Sequence, residues 1–164
     1  MSMIAGLAPI TPAQLEAVQA DPDAATAFCH PQDAAQRARN IDLDKAWHGI
    51  HFLLTGKAWD KGGQAQGLAI LGGQDIGPDQ GYGPARFVTP PQVADVAAAL
   101  ATLDDAELAR RYDVQAMEQQ QIYPGMWERD GDEGLEYLQH YFKHLQRFYA
   151  DAAGRGDAVL QWIM

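Results

Sequence analysis

The sequence predicts an α+β fold in which helices dominate around a small mixed sheet, with strands drawn from both chain ends. Three observations carry this expectation. Apolar residues recur at helical spacing behind recognisable caps through most of the chain. Extended apolar runs stand at the start, in the middle and at the end, and they do not alternate with helices as a doubly wound sheet requires. At 164 residues and 17.9 kDa, the chain suits a single domain spanning 1–164.

The elements follow in order. Ser2 to Ile10 is a short apolar segment. Thr11-Pro12 then puts a capping residue before a proline at the first helical position, opening a helix from Pro12 to Ala20. Asp21 caps a short helix around Ala24 to Phe28 that Pro31 must end. Gln32 to Asn40 reads as exposed polar chain. Asp42 caps a helix from Leu43 to Thr55, closed by Gly56. From Lys57 to Pro84 frequent glycine interrupts every period, leaving loop with strand candidates at Leu68 to Leu71 and, just beyond, Ala85 to Val88. Thr89-Pro90 repeats the cap-then-proline device and opens a helix reaching Leu103. Asp104 and Asp113 cap helices over Asp105 to Arg111 and Val114 to Gln121. After a Tyr123 to Trp127 loop comes the longest helix, Asp132 to Ala153, and then an apolar strand, Ala158 to Met164.

Composition excludes several function classes. Twelve lysines and arginines stand against 22 aspartates and glutamates, a net charge of −10, which disfavours nucleic acid as a partner. No apolar run approaches the ~18 residues of a membrane span, and the start lacks the pattern of a signal peptide, so a cytoplasmic protein without a membrane partner is expected. Cys29 is the single cysteine, which removes an internal disulfide and a closed thiolate zinc site. No motif asks for a cofactor.

The best polar constellation lies on the helix from Leu43. At about 100° per residue, Leu43, Ala46, Trp47, Ile50, Leu53 and Leu54 share an apolar face, and Asp44, His48, His51 and Thr55 form a stripe along its edge. Asp44 could orient His48 as a general base, with His51 one turn on. The commoner use of such a stripe on a nearly buried helix is as a set of struts, each imidazole bonded to a backbone carbonyl or a carboxylate. No third metal ligand or zincin motif accompanies it, so no metal is expected. His140 and His144, with Glu136, fall on the face opposite Leu138, Tyr141, Phe142, Leu145, Phe148 and Tyr149, and read as solvated.

Two loops supply ligand-binding candidates. Gly81-Tyr82-Gly83-Pro84-Ala85-Arg86 lacks nucleotide-loop spacing and reads as a tight turn that projects Tyr82 and Arg86, the latter a fork for an anion or for an internal aspartate. Tyr123 and Trp127 are either aromatic anchors over a cavity or a plug in the core.

These segments together resemble the YfbM-like family of small bacterial domains. The resemblance rests on Leu43 to Gly56, Leu71-Gly72-Gly73, Gly81 to Pro90, Ile122-Tyr123-Pro124 with Trp127, and Asp157 to Leu160, and covers nearly the whole chain. It implies a single α+β domain and no particular reaction. Two functions remain open. An acidic interaction protein of the immunity type would steer a basic partner through Glu128, Asp130, Asp132 and Glu133. Alternatively, a pocket of His48, His51, Tyr82, Arg86, Tyr123 and Trp127 would take a small anionic ligand for acid–base chemistry.

Overall fold

The two apolar runs at opposite ends of the chain meet at the centre of the molecule. A computed structural model describes residues 1–164. In it β1 (Ala5–Ile10) pairs antiparallel with β5 (Ala158–Ile163) over their full length, from Ala5 opposite Ile163 to Ile10 opposite Ala158. Both strands are buried at every position, which explains why they read as continuous apolar runs rather than alternating ones. β2 (Ile41–Asp42) flanks β1, and the hairpin of β3 (Gln74–Asp79) and β4 (Pro84–Val88) flanks β5, giving the order β2-β1-β5-β4-β3. Every pairing is antiparallel, which corrects the expected mixed sheet. A tight turn can join β3 to β4 only in opposite directions, and β1–β2, β1–β5 and β4–β5 are likewise antiparallel.

The sheet is covered on both faces. On one, Ala8, Ile10, Phe87, Leu160 and Trp162 pack against α1 (Pro12–Ala20) and α2 (Ala25–Cys29). On the other, Ala5, Leu7, Val88, Val159 and Ile163 join the larger core. That core also takes in α4 (Trp47–Thr55), α5 (Pro90–Ala101) and α9 (Asp132–Arg155), with α6 (Asp105–Arg111), α7 (Val114–Gln119) and α8 (Trp127–Asp130) around it. Both proline-led helices begin as their sequences require. Gln14 reaches back to the Thr11 N–H at 2.9 Å, and Gln92 to the Thr89 N–H at 2.9 Å.

Three segments differ from expectation. The polar Gln32 to Asn40 stretch contains α3 (Ala34–Arg39), because the Asp33 carboxylate caps the Gln36 N–H. The glycine-rich region hides β3, an edge strand that tolerates Pro78 and in which only Ile76 is buried. Leu68 to Leu71 is no strand: Leu68 ends a 3-10 turn at Ala65–Leu68, and Ala69 to Leu71 follow as a buried turn. Three successive carbonyls there take side-chain donors in place of a ladder: Leu68 from Gln161 Nε2 (2.7 Å), Ala69 from the Tyr149 hydroxyl (2.8 Å) and Ile70 from Arg86 Nη2 (3.4 Å).

Candidate functional site

α4 carries the imidazole stripe, and its polar atoms are committed locally. Asp42 accepts the N–H of Asp44, which holds the left-handed φ of 48° at the start of a 3-10 turn leading into α4. The Asp44 carboxylate then receives the Tyr137 hydroxyl at 2.8 Å. Asp44 therefore ties α9 to this turn and does not orient His48, as the spacing had led us to expect. His48 is fully buried. Its Nδ1 accepts the Tyr123 N–H at 2.9 Å, which places the proton on Nε2, and Nε2 donates to the Ala58 carbonyl at 2.8 Å. The basic lone pair is thus already occupied. Burial pulls the His48 pKa down, opposed by the bond to Ala58. His51, also buried, bonds the Asp60 carbonyl at 3.1 Å, and burial lowers its pKa to about 4 against that bond. Gly49 lies between them because Leu138 and Trp127 press on α4: a Cβ there would stand 2.7 Å from Leu138 Cδ2 and 2.8 Å from Trp127. Trp127 is wholly buried and donates to the Ile122 carbonyl, so it plugs the core.

Arg86 stands in a different setting. It sits on β4 between Asp75 of β3 and Gln161 of β5, its direct cross-strand neighbours. Its single protein acceptor is the Ile70 carbonyl, at the long distance of 3.4 Å, and its buried Nε has no partner. Gln161 Oε1, on the same face of the sheet, is buried and unpartnered as well. Burial depresses the guanidinium pKa, with Asp75 opposing. The side chain opens into a recess of about 360 Å³ walled by Trp47, Trp59 and Tyr82, with Lys61 and Asp75 at its polar edge. Tyr82 is held there by its turn: the Asp79 carboxylate takes the Gly81 and Gly83 N–H groups, and the Tyr82 N–H donates to the Ile163 carbonyl. Gly81 is required at that point, since its φ is 133° and a Cβ would stand 3.0 Å from the Met164 Cα.

The His48 imidazole lies one layer behind this recess. His48 stacks on Trp47 with centroids 4.7 Å apart and meets Trp59 at 4.5 Å. Tyr123 also backs the wall, stacked on Trp47 at 6.1 Å, its hydroxyl accepting the Met3 N–H. Of the residues singled out in the sequence, Tyr82 and Arg86 line the recess, His48 and Tyr123 support it, and Trp127 and Asp44 belong elsewhere. Sequence reasoning missed Trp59, Lys61 and Asp75 as liners. Trp59 carried a signal, a large aromatic in a polar glycine-rich loop, and it is 62% exposed; Asp75 became visible only through the hairpin register.

Elsewhere, His140 and His144 are exposed on α9, and no group of three or more His, Cys, Asp or Glu side chains is placed to hold a metal ion. The acidic residues Glu128, Asp130, Asp132 and Glu133 are partly used within the fold: Arg129 pairs with Asp130, and Asp132 and Glu133 occupy the first turn of α9, where the helix dipole favours them. No helix is long and apolar enough to cross a membrane.

No curated protein matches this chain in sequence. Among solved structures, the crystal structure of YfbM from Escherichia coli, a protein of unknown function, is similar with a TM-score of 0.76 and 20% identity, over 98% of this chain and 99% of that one. At that identity the likeness concerns the fold. The model of the domain of unknown function DUF1877 matches residues 1–162, and the chain belongs to that family.

Proposed function

We propose that this domain binds a small anionic ligand with a planar or apolar body in the Arg86 recess, in the cytoplasm, where the buried free thiol of Cys29 suits a reducing compartment. The observation that carries the reading is the buried Arg86 Nε without an acceptor at the floor of an aromatic-walled recess. A buried donor left unpaired costs about 1–3 kcal/mol, more when charged, and a carboxylate received by the guanidinium would remove that cost while forming the strong, charge-assisted kind of bond. Trp47, Trp59 and Tyr82 supply flat apolar walls, and the volume falls at the small-molecule end of the usual range of about 300–1,000 Å³. The arrangement favours binding over acid–base catalysis, because the His48 lone pair is bonded to a backbone amide and neither imidazole lines the recess.

Docking of a basic protein remains a second reading. It rests on the net charge of −10 and the acidic residues of α8 and α9, whose local uses make it the less specific of the two. A salt-sensitive partner recovered from lysate would support it.

Calorimetric titration with benzoate, acetate and benzamide tests the first reading. Benzoate, having both charge and ring, should bind at least about tenfold more tightly than either of the others, and Arg86→Met should abolish that preference. Equal affinities, or no heat with benzoate at about 10 mM, would overturn it.

A further inference from the structure

A second recess, of about 260 Å³ and lined by several cations, lies between α3, β2 and the C-terminal half of α9. It shares no lining residue with the Arg86 recess. Three of the eight arginines in the chain, Arg39, Arg147 and Arg155, line it together with His144. In a protein of net charge −10, clustering guanidinium groups costs mutual repulsion, and the overall field brings no anion to them; whatever holds an anion there must be local.

The geometry fixes two of these side chains and leaves their donors free. Asp157, almost completely buried, accepts Arg39 Nη2 at 3.4 Å and Arg155 Nε at 2.8 Å on the same oxygen, Oδ2. One carboxylate oxygen thus orients two guanidinium forks, each of which keeps further N–H groups. Arg147 has no acidic partner at all. It stands on the stripe His144, Arg147, Asp151, Arg155 of α9, facing Arg39 from α3 across the recess. Donors that approach from two elements suit a tetrahedral oxyanion better than a flat carboxylate. Asp151 is the single acid in the lining and opposes any anion that enters.

We infer that this recess binds a phosphomonoester, its phosphate held by Arg147, Arg39 and Arg155 and its organic part against Ile41 and Phe148. The sequence concealed the site because His144 read as part of a solvated helix face and the Gln32 to Asn40 segment read as exposed chain. Together they form a concave, positively charged surface.

The test is a backbone amide NMR titration of the whole chain at constant ionic strength, with glycerol 3-phosphate, inorganic phosphate and acetate as probes. Saturable shifts centred on residues 38–41 and 144–151, with glycerol 3-phosphate at least as tight as phosphate and both well ahead of acetate, are the expected result. Arg147→Gln should weaken binding about tenfold, Asp151→Asn should tighten it about threefold, and Arg86→Met should leave it unchanged. Shifts confined to the Arg86 recess, equal response to acetate, or indifference to both α9 substitutions would each overturn the inference.

Discussion

The imidazole edge of α4 and the Arg86 recess stand one side-chain layer apart and handle buried polar groups in opposite ways. Behind the wall, both ring nitrogens of His48 are satisfied by backbone groups of distant segments, Tyr123 and Ala58. In front of it, Arg86 keeps a buried nitrogen with no acceptor beside an equally orphaned Gln161 oxygen. A satisfied polar group is structure, and removing it leaves its partners stranded. An unsatisfied one is a standing cost that a ligand can relieve. Histidine is the residue type that draws attention in a sequence, yet by this criterion it is the arginine that is left with an unmet bond.

The contrast breaks most sharply at His48. His48→Ala should destabilise the fold by about 4 kcal/mol, since it opens a cavity and strands the Tyr123 N–H and the Ala58 carbonyl; chemical denaturation checks this, and a negligible loss would make the ring dispensable to the fold. The next effect is a pH dependence. The folded pKa of His51, about 4, lies below its unfolded value near 6.5. Its contribution is therefore complete above pH 6.5 and is lost as pH falls from 6.5 towards 4, as the unfolded chain takes up the proton first. The loss reaches about 3 kcal/mol. His51→Asn should flatten the stability profile over that window, and an unchanged slope would contradict the assignment.

Gly49→Ala comes third, at about 2 kcal/mol of destabilisation, because the added methyl meets Leu138 and Trp127; a thermal melt reads it. Smallest is Arg86→Met, which removes a half-buried, half-satisfied charge and should alter stability by less than about 1 kcal/mol, in the stabilising direction. A loss as large as that at His48 would put Arg86 among the struts and remove the contrast.

What the sequence made legible was whatever local chemistry decides. Thr11-Pro12 and Thr89-Pro90 announced their helices, and the heptad-like apolar face of α9 and the apolar strand β5 were evident from periodicity and composition. What it concealed depends on contacts between distant segments. Leu68 to Leu71 looks like a strand because its run is apolar, but Gln161, Tyr149 and Arg86 satisfy its carbonyls from three other elements. β3 has one buried residue and a glycine-proline pair, too little for any periodic signal. For the site, turn chemistry around Gly81 delivered Tyr82 and Arg86. Spacing identified the His48 and His51 stripe, but the partners that decide its role, Tyr123, Ala58 and Asp60, could not be read from helical geometry. Asp44 was drawn to His48 by that same geometry, and Tyr137 of α9 claimed it.

The claim that the recess and its imidazole backing divide these roles is tested most directly by following side-chain nitrogen resonances during a benzoate titration. The account predicts that Arg86 Nε and Trp59 Nε1 shift together and saturate, while both imidazoles keep the signature of a neutral ring protonated at Nε2. Imidazole signals that change protonation on ligand addition, with Arg86 unmoved, would contradict it.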